Sequence, residues 1–134
     1  MIYKIFLLVI LFLQVSCKQS AIVKKLKGCD SLVITFNEPG TDEIAREVST
    51  TETKAIQKLA RFLQGKETEM YKCGYDGNMQ FFKAGRQVLP VVFKYSEDGC
   101  RAFVFDLDNK VMSTKMSNEA VSFLRSLAEG KNWY

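Results

Sequence analysis

Residues 70–115 decide the fold, and they read MYKCGYDGNMQFFKAGRQVLPVVFKYSEDGCRAFVFDLDNKVMSTK. Residue pairs that favour tight turns interrupt this stretch at Asp76-Gly77, Ala84-Gly85, Asp98-Gly99 and Asp108-Asn109. Between them lie five predicted strands, over residues 70–74, 79–83, 88–95, 100–107 and 110–115. Short strands joined by tight turns indicate an antiparallel meander.

Within the meander, apolar side chains alternate along the third and fourth strands, so one face of the sheet should meet the core. They are Leu89, Val91, Phe93 and Tyr95, followed by Phe103, Phe105 and Leu107. Pro90 cannot donate a ladder hydrogen bond. Its strand should therefore be bulged at that point or turn that edge to solvent.

Two further strands are predicted upstream of the meander. Leu32, Ile34 and Phe36 alternate in sequence and would share one face of a strand. Ile44 and Val48 suit either a helical turn or one face of a second strand, and the strand is the favoured interpretation.

Two helices are predicted from apolar residues at helical spacing. The first follows the capping-box pattern Ser49-x-x-Glu52 and ends at Gly65, and the second follows Ser117 and ends at Gly130. Their apolar faces consist of Ile56, Leu59, Ala60 and Leu63, and of Val121, Leu124, Leu127 and Ala128. The four leucines are predicted to pack against Phe103 and Phe105. The predicted fold class is α+β, an antiparallel meander sheet with two helices packed on one face.

Residues 1–16 have the form of a bacterial export signal. Their apolar run is shorter than the roughly 20 residues needed to cross a bilayer. Val15-Ser16-Cys17 resembles a lipoprotein cleavage site, with Gln14 where the strict motif has an aliphatic residue. We expect Cys17 to be the acylated first residue of a lipoprotein in the cell envelope, in the outer membrane or facing the periplasm. Plain cleavage that leaves Cys17 as a thiol and a retained, uncleaved hydrophobic anchor are the alternatives.

After the signal, residues 17–30 are predicted to be the lipidated cysteine and a linker, and residues 31–134 a single α+β domain. Removal of residues 1–16, whose only charge is Lys4, leaves 118 residues with 18 basic and 15 acidic side chains. Lys18, Lys24, Lys25 and Lys27 cluster in the linker. A solvated tether is favoured over a segment attracted to anionic lipid head groups. No nucleic-acid partner is expected, because the other basic residues are scattered.

The chain contains no histidine. Ser-His-Asp and Cys-His nucleophiles and histidine-ligated zinc are therefore excluded. Hydrolysis through carboxylates remains open, but no catalytic group, cofactor or metal site is predicted. The cysteines also lack the C-x-x-C spacing of a metal site.

Two groups of acidic residues could carry chemistry, and each has a simpler explanation. Asp106 and Asp108 lie two apart at a strand end, but Asp108-Asn109 is also the pair that a tight hairpin selects. Asp76, Glu97 and Asp98 fall on turns at one end of the meander and could bind calcium weakly. Solvated turn residues are the favoured interpretation of both groups.

Cysteines in an exported protein are usually paired or modified, because the compartment is oxidising. With Cys17 acylated, one disulfide and one free thiol are expected among Cys29, Cys73 and Cys100. Cys73 and Cys100 fall at the same end of the meander, which favours pairing them. A flat meander would separate their strands by two others at about 4.8 Å each, beyond the roughly 7 Å Cα limit for a bridge. The pairing requires a curled sheet or a first strand that leaves this position; otherwise Cys29 is the partner of one of them.

Three motifs resemble a group of small exported lipoproteins of the Bacteroidota type. They are Lys72-Cys73-Gly74-Tyr75-Asp76-Gly77, Phe81-Phe82 and Gly99-Cys100-Arg101. The likeness covers residues 31–129. It implies a location outside the cytoplasm and carries no activity.

We expect a non-catalytic module that binds or inhibits an envelope protein through one end or the uncovered face of its sheet. The candidate contact residues are Tyr75, Asp76 and Arg101, since a turn tyrosine beside an arginine and a disulfide is a rigid amphipathic anchor. Tyr75 could instead cap the core. A carboxylate-dependent hydrolase of envelope glycans and a purely structural component are the other hypotheses. Two carboxylates roughly 5–10 Å apart across a pocket would favour the hydrolase.

Overall fold

The fold is a six-stranded antiparallel sheet with helices packed on one face. A computed structural model describes residues 20–69 and 72–133, so the predicted signal peptide and Cys17 lie outside the described residues. In chain order the elements are α1 (Ala21–Leu26), β1 (Ser31–Asn37), β2 (Ile44–Thr50), α2 (Thr53–Phe62), β3 (Gly77–Lys83), β4 (Arg86–Lys94), β5 (Ala102–Leu107), β6 (Lys110–Lys115) and α3 (Asn118–Ala128). The strand order is β2-β1-β3-β4-β5-β6. The predicted α+β class and the antiparallel meander are confirmed.

In the described residues, a hydrophobic cluster lies between the sheet and the helices. The alternation predicted for β4 and β5 is confirmed, because Leu89, Val91, Phe93 and Phe103 are at most 1% exposed and Phe105 is 4% exposed. The leucines predicted to face them, which are Leu59, Leu63, Leu124 and Leu127, belong to the same cluster. The opposite face of the sheet has no helix packed on it among the described elements, and we call it the open face.

Three of the four predicted turns are present. Ala84 and Gly85 both have positive φ angles, as do Asp108 and Asn109, with φ of 52° and 64° at the latter pair. Two consecutive residues in this left-handed region give the hairpin turn whose twist matches that of the flanking strands. Asp98-Gly99 also forms a turn.

The predicted turn at Asp76-Gly77 is wrong, and so is the predicted strand over residues 72–74. Gly77 instead begins β3, where it pairs with Phe36 on one side and Phe93 on the other. A Cβ at Gly77 would overlap the carbonyl oxygen of Thr35, so the glycine is required by the close approach of two strands. Met70 and Tyr71, the first residues of the predicted strand, lie outside the described residues.

The ambiguous segment, predicted as a strand over residues 43–49, is the strand β2, as favoured, and it lies one residue later in the chain. Ser49 is therefore a strand residue paired with Val33, and the predicted capping box is wrong. The helix begins after it, with the Thr50 hydroxyl accepting from the Glu52 N–H at 3.1 Å. Gly65 is not a helix cap either. It lies against the Lys115 carbonyl, where a Cβ would overlap that oxygen.

Pro90 lies just outside the β4–β5 ladder, which runs from Val91 to Lys94 on β4. Its missing N–H therefore interrupts none of those pairs, and its side chain is exposed on the open face.

The prediction that residues up to Asp30 form a linker is wrong for the described part of that segment. Residues 21–26 form α1, which begins after Ser20, whose hydroxyl accepts from Val23 N–H at 3.3 Å. Ile22 and Leu26 are 5% and 4% exposed and join the core. Burial of these two side chains holds the segment against the core, although the lysines between them remain in solvent. Within the described residues, no helix is long and apolar enough to cross a membrane.

Candidate functional site

The connection from α2 to β3 crosses the open face at one end, and we call its described residues 66–69 and 72–76 the strap. It begins along the edge of β6, where Lys115 N–H donates to Lys66 O at 2.7 Å and Thr68 N–H donates to Ser113 O at 2.8 Å. Ser113 and Ala102 are only 3% and 5% exposed although their side chains lie on the open face. The strap therefore covers the ends of β5 and β6.

The disulfide between Cys73 and Cys100 fixes the strap to the sheet. The predicted pairing is confirmed, with Cα atoms 6.1 Å apart. The separation expected in a flat meander does not arise, because Cys73 is on the strap above the sheet and not on a strand within it. Cys29 is the free cysteine of the described residues, and it is buried.

Asp76 ends the strap and is a structural residue. Tyr95 and Ser96 N–H groups donate to its Oδ2 at 2.7 and 2.9 Å, and the Ser96 hydroxyl donates to Oδ1 at 2.9 Å. Lys94 Nζ lies 3.4 Å from Oδ1. Burial alone would raise the pKa of this carboxyl, but the hydrogen bonds and the Lys94 charge outweigh it, so its pKa lies below the ordinary value. Asp76 is consequently unsuited to direct contact with a partner or with calcium.

Tyr75 lies between the disulfide and Asp76, and 47% of its surface is exposed. It lines a small recess on the open face with Cys73, Lys94 and Val104. Fixed neighbours on both sides along the chain restrict the backbone of this tyrosine. It is an exposed aromatic on a restrained support and not a cap on the core.

Arg101 directly follows Cys100 in the chain and does not line the recess beside Tyr75. Its Nε donates to Tyr95 O at 2.9 Å, and its NH1 lies 3.8 Å from Asp98 Oδ1. It lines a depression of about 360 Å³ with Lys115 and Asn118, beside the start of α3. The three predicted contact residues are thus close in sequence to one disulfide, but they form no common surface.

Four apolar side chains on the open face, which we call the apolar row, were not predicted as contact residues, and the exposed Asp106 lies among them, paired with Val111. Val92 pairs with Val104 across β4 and β5, and both are half-buried. Pro90 is exposed, and Val111 on β6 is 52% exposed. These residues alternate with core residues along their strands. A strand whose two faces are both apolar in sequence was the sign from which the row could have been predicted.

Among the described residues, the acidic side chains considered in the sequence lie on turns, at a strand end or in the Asp76 hydrogen-bond network. Asp106 and Asp108 are exposed, and Asp108 belongs to the β5–β6 hairpin turn. Three recesses of about 360, 550 and 580 Å³ are each lined by a single carboxylate, which is Asp98, Asp30 and Glu52 respectively. Glu97 lies beside Cys73 and Cys100, but sulfur atoms joined in a disulfide do not act as thiolate ligands.

Cys29 lines the recess of about 550 Å³ between α1 and α2, together with Val23, Ile56 and Asp30. Burial raises the pKa of the Cys29 thiol above its ordinary value, and the negative charge of Asp30 adds to this effect. The positive charge of Lys83 acts in the opposite direction but does not cancel it. A thiol with a raised pKa is a weak nucleophile at neutral pH. Cys29 therefore behaves as a small core residue.

Comparison with known proteins adds no relative to this description. No protein-family model matches the chain, and no curated protein or solved structure shows significant similarity to it.

Proposed function

We propose that the protein is a lipid-anchored, non-catalytic binding module of the cell envelope that holds a partner protein on its open face. The observation that carries this proposal is Tyr75, an exposed aromatic held between a disulfide and the anchored Asp76 beside an uncovered apolar row. Tyrosine is enriched among the residues that dominate protein interfaces, and a restrained side chain loses little entropy on binding.

The shape of the surface favours a protein as the occupant. The recess beside Tyr75 encloses only about 10 Å³, whereas small-molecule sites enclose roughly 300–1,000 Å³. The apolar row of Pro90, Val92, Val104 and Val111 instead extends across β4, β5 and β6, with the exposed Asp106 paired beside Val111 and polar neighbours on β3. An apolar centre with a polar rim is the usual composition of a protein interface.

Photo-crosslinking from position 75 tests this proposal in the native envelope. A photoreactive phenylalanine analogue at Tyr75 should give a discrete crosslinked product, and intact mass of the purified chain should show acylated Cys17. Val111→Lys should reduce the product by at least about tenfold, because it replaces an exposed apolar side chain of the row by a charge.

Ile44→Lys is the matched control, since Ile44 is 64% exposed and lies on the edge strand β2 outside the apolar row. It should leave the crosslinked product unchanged. A missing product, or equal reduction by the two lysine variants, would contradict binding through the open face.

A further inference from the structure

Five basic side chains gather at the end of the sheet where the chain enters the domain. They are Lys24, Lys25 and Lys27 in and just after α1, with Lys83 and Arg86 on the β3–β4 hairpin, and all five are exposed. We call this group the basic end. Its position differs from that of Tyr75, which lies at the opposite end of the strands.

The lysines of α1 are held in place by the core and by the hairpin beside them. Ile22 and Leu26 anchor the helix, and Asp30 N–H donates to Phe82 O at 2.9 Å. The Lys83 side chain lies over Gly28, with Nζ 3.2 Å from the position of a Cβ there. The backbone of the lysine-bearing segment is therefore held beside the β3–β4 hairpin and is not a flexible tether.

The charges differ between the two ends of the strands. At the basic end, the Asp30 carboxylate accepts from Ala84 N–H at 3.0 Å, and the exposed Asp108 lies on the neighbouring β5–β6 hairpin. At the other end, the β1–β2 hairpin carries exposed Glu38, Asp42 and Glu43 and no basic residue, and Lys94 and Arg101 lie there in ion pairs with Asp76 and Asp98. A domain with such a charge distribution is oriented by the field of a charged surface.

We propose that the basic end docks on a membrane surface rich in anionic phospholipid. Basic residues near such a surface each contribute to binding, and the attraction acts within a Debye length of about 8–10 Å. Cys17 precedes Ser20 by three residues, a reach of about 11 Å, so an acylated Cys17 would hold α1 close to the head groups. Only this last point rests on the proposed lipid anchor. Docking at this end leaves Tyr75 away from the lipid and accessible to a partner.

Vesicle sedimentation of the full mature chain tests the proposal without the anchor. The chain carries Cys17→Ser, and the vesicles contain either equal parts of phosphatidylglycerol and phosphatidylcholine or phosphatidylcholine alone. Binding is expected only to the anionic vesicles and should weaken with added salt. The combined change Lys24→Gln, Lys25→Gln and Lys27→Gln should lower the partition coefficient by about 100-fold, from about fivefold per lysine.

The matched control removes the same number of charges elsewhere, through Lys66→Gln, Lys72→Gln and Lys131→Gln, all at exposed positions outside the basic end. It should lower binding by less than about threefold. If the α1 variant has a lower melting midpoint, Lys83→Gln with Arg86→Gln tests the same surface without changing the helix.

Equal losses in the basic-end variants and the control, or equal binding to both vesicle types, would overturn the proposal. Crosslinking from position 75 is unaffected by these changes if the proposed partner site is correct. The two proposals therefore fail separately.

Discussion

The Asp76 carboxylate joins the strap to the turn after β4, because three donors from Tyr95 and Ser96 and the Lys94 ammonium converge on its two oxygens. Tyr75 precedes it directly. The position of the exposed ring thus depends on a neighbouring carboxylate that contacts no partner itself. A residue in this role supports the interaction surface from within the fold.

The first prediction concerns Asp76→Asn, which keeps the shape of the side chain and removes its charge. It should destabilise the fold by about 2 kcal/mol at pH 7, since hydrogen bonds to a charged acceptor are stronger than those to a neutral one. The folded-state pKa of Asp76 is lowered, so its contribution is complete above the unfolded pKa of about 3.9 and is lost as pH falls through the folded pKa.

Urea denaturation between about pH 7 and pH 2 measures this effect. The difference in unfolding free energy between wild type and Asp76→Asn should be constant near neutral pH and shrink below about pH 4. Asp42→Asn, in the exposed β1–β2 hairpin, should change stability by less than about 0.5 kcal/mol. A difference for Asp76→Asn that stays constant down to pH 2 would show that its charge has no part in holding the strap.

The conformation of a turn could be predicted from the sequence where it depends only on the turn residues themselves. Asp108-Asn109 forms the predicted hairpin because its two positive φ angles are set by the turn itself. Asp76-Gly77 has an equally strong turn signal, but there the glycine serves close contact with Thr35 on β1. Contact with a distant strand is not encoded in the dipeptide, and the turn prediction failed for that reason.

At the level of elements, the alternating strands and the helices α2 and α3 were predictable from apolar spacing, whereas the ends of α2 and the whole of α1 were not. The closing helix begins after Ser117 as predicted, with the Ser117 hydroxyl accepting from Ala120 N–H at 3.1 Å. A helix of six residues is too short to be stable alone. Only two of its side chains are buried, so its sequence shows no extended helical pattern of apolar residues. Tertiary contact with the core forms this helix, and local sequence gives little sign of it.

The second prediction tests whether α1 is part of the folded core. Leu26→Ala should destabilise the protein by about 2–5 kcal/mol, because Leu26 is 4% exposed and its truncation leaves a cavity. Lys25→Ala in the same helix is exposed and should change stability by less than about 0.5 kcal/mol. Thermal or urea unfolding of the two variants measures this. A Leu26→Ala midpoint equal to that of wild type would mean that the segment is the linker that its sequence suggested.

For the whole molecule, the sequence predicted the layers but not the path of the strap. The two-layer arrangement follows from apolar alternation in the strands and helical spacing in α2 and α3. The strap follows from hydrogen bonds to the β6 edge and from the bridge to Cys100, contacts between residues far apart in the chain. The candidate surface was consequently predicted only in part. Tyr75 was predicted as a contact residue because of the residues next to it in the sequence. The exposure of the apolar row depends instead on which face of the sheet the helices leave open.

The last prediction concerns loss of the disulfide in the whole molecule. Cys73→Ala with Cys100→Ala removes a bridge between residues 27 apart, for which chain-entropy estimates give about 3.5 kcal/mol. The sheet should remain folded, because Lys66 and Thr68 are still hydrogen-bonded to β6 and Asp76 to the turn after β4. Hydrogen exchange should therefore increase in the strap around Gly74 while the amides of β4 and β5 stay protected. Increased exchange across all six strands would instead show that the bridge holds the sheet itself together, and an unfolding free energy equal to that of wild type would show that it stabilises neither.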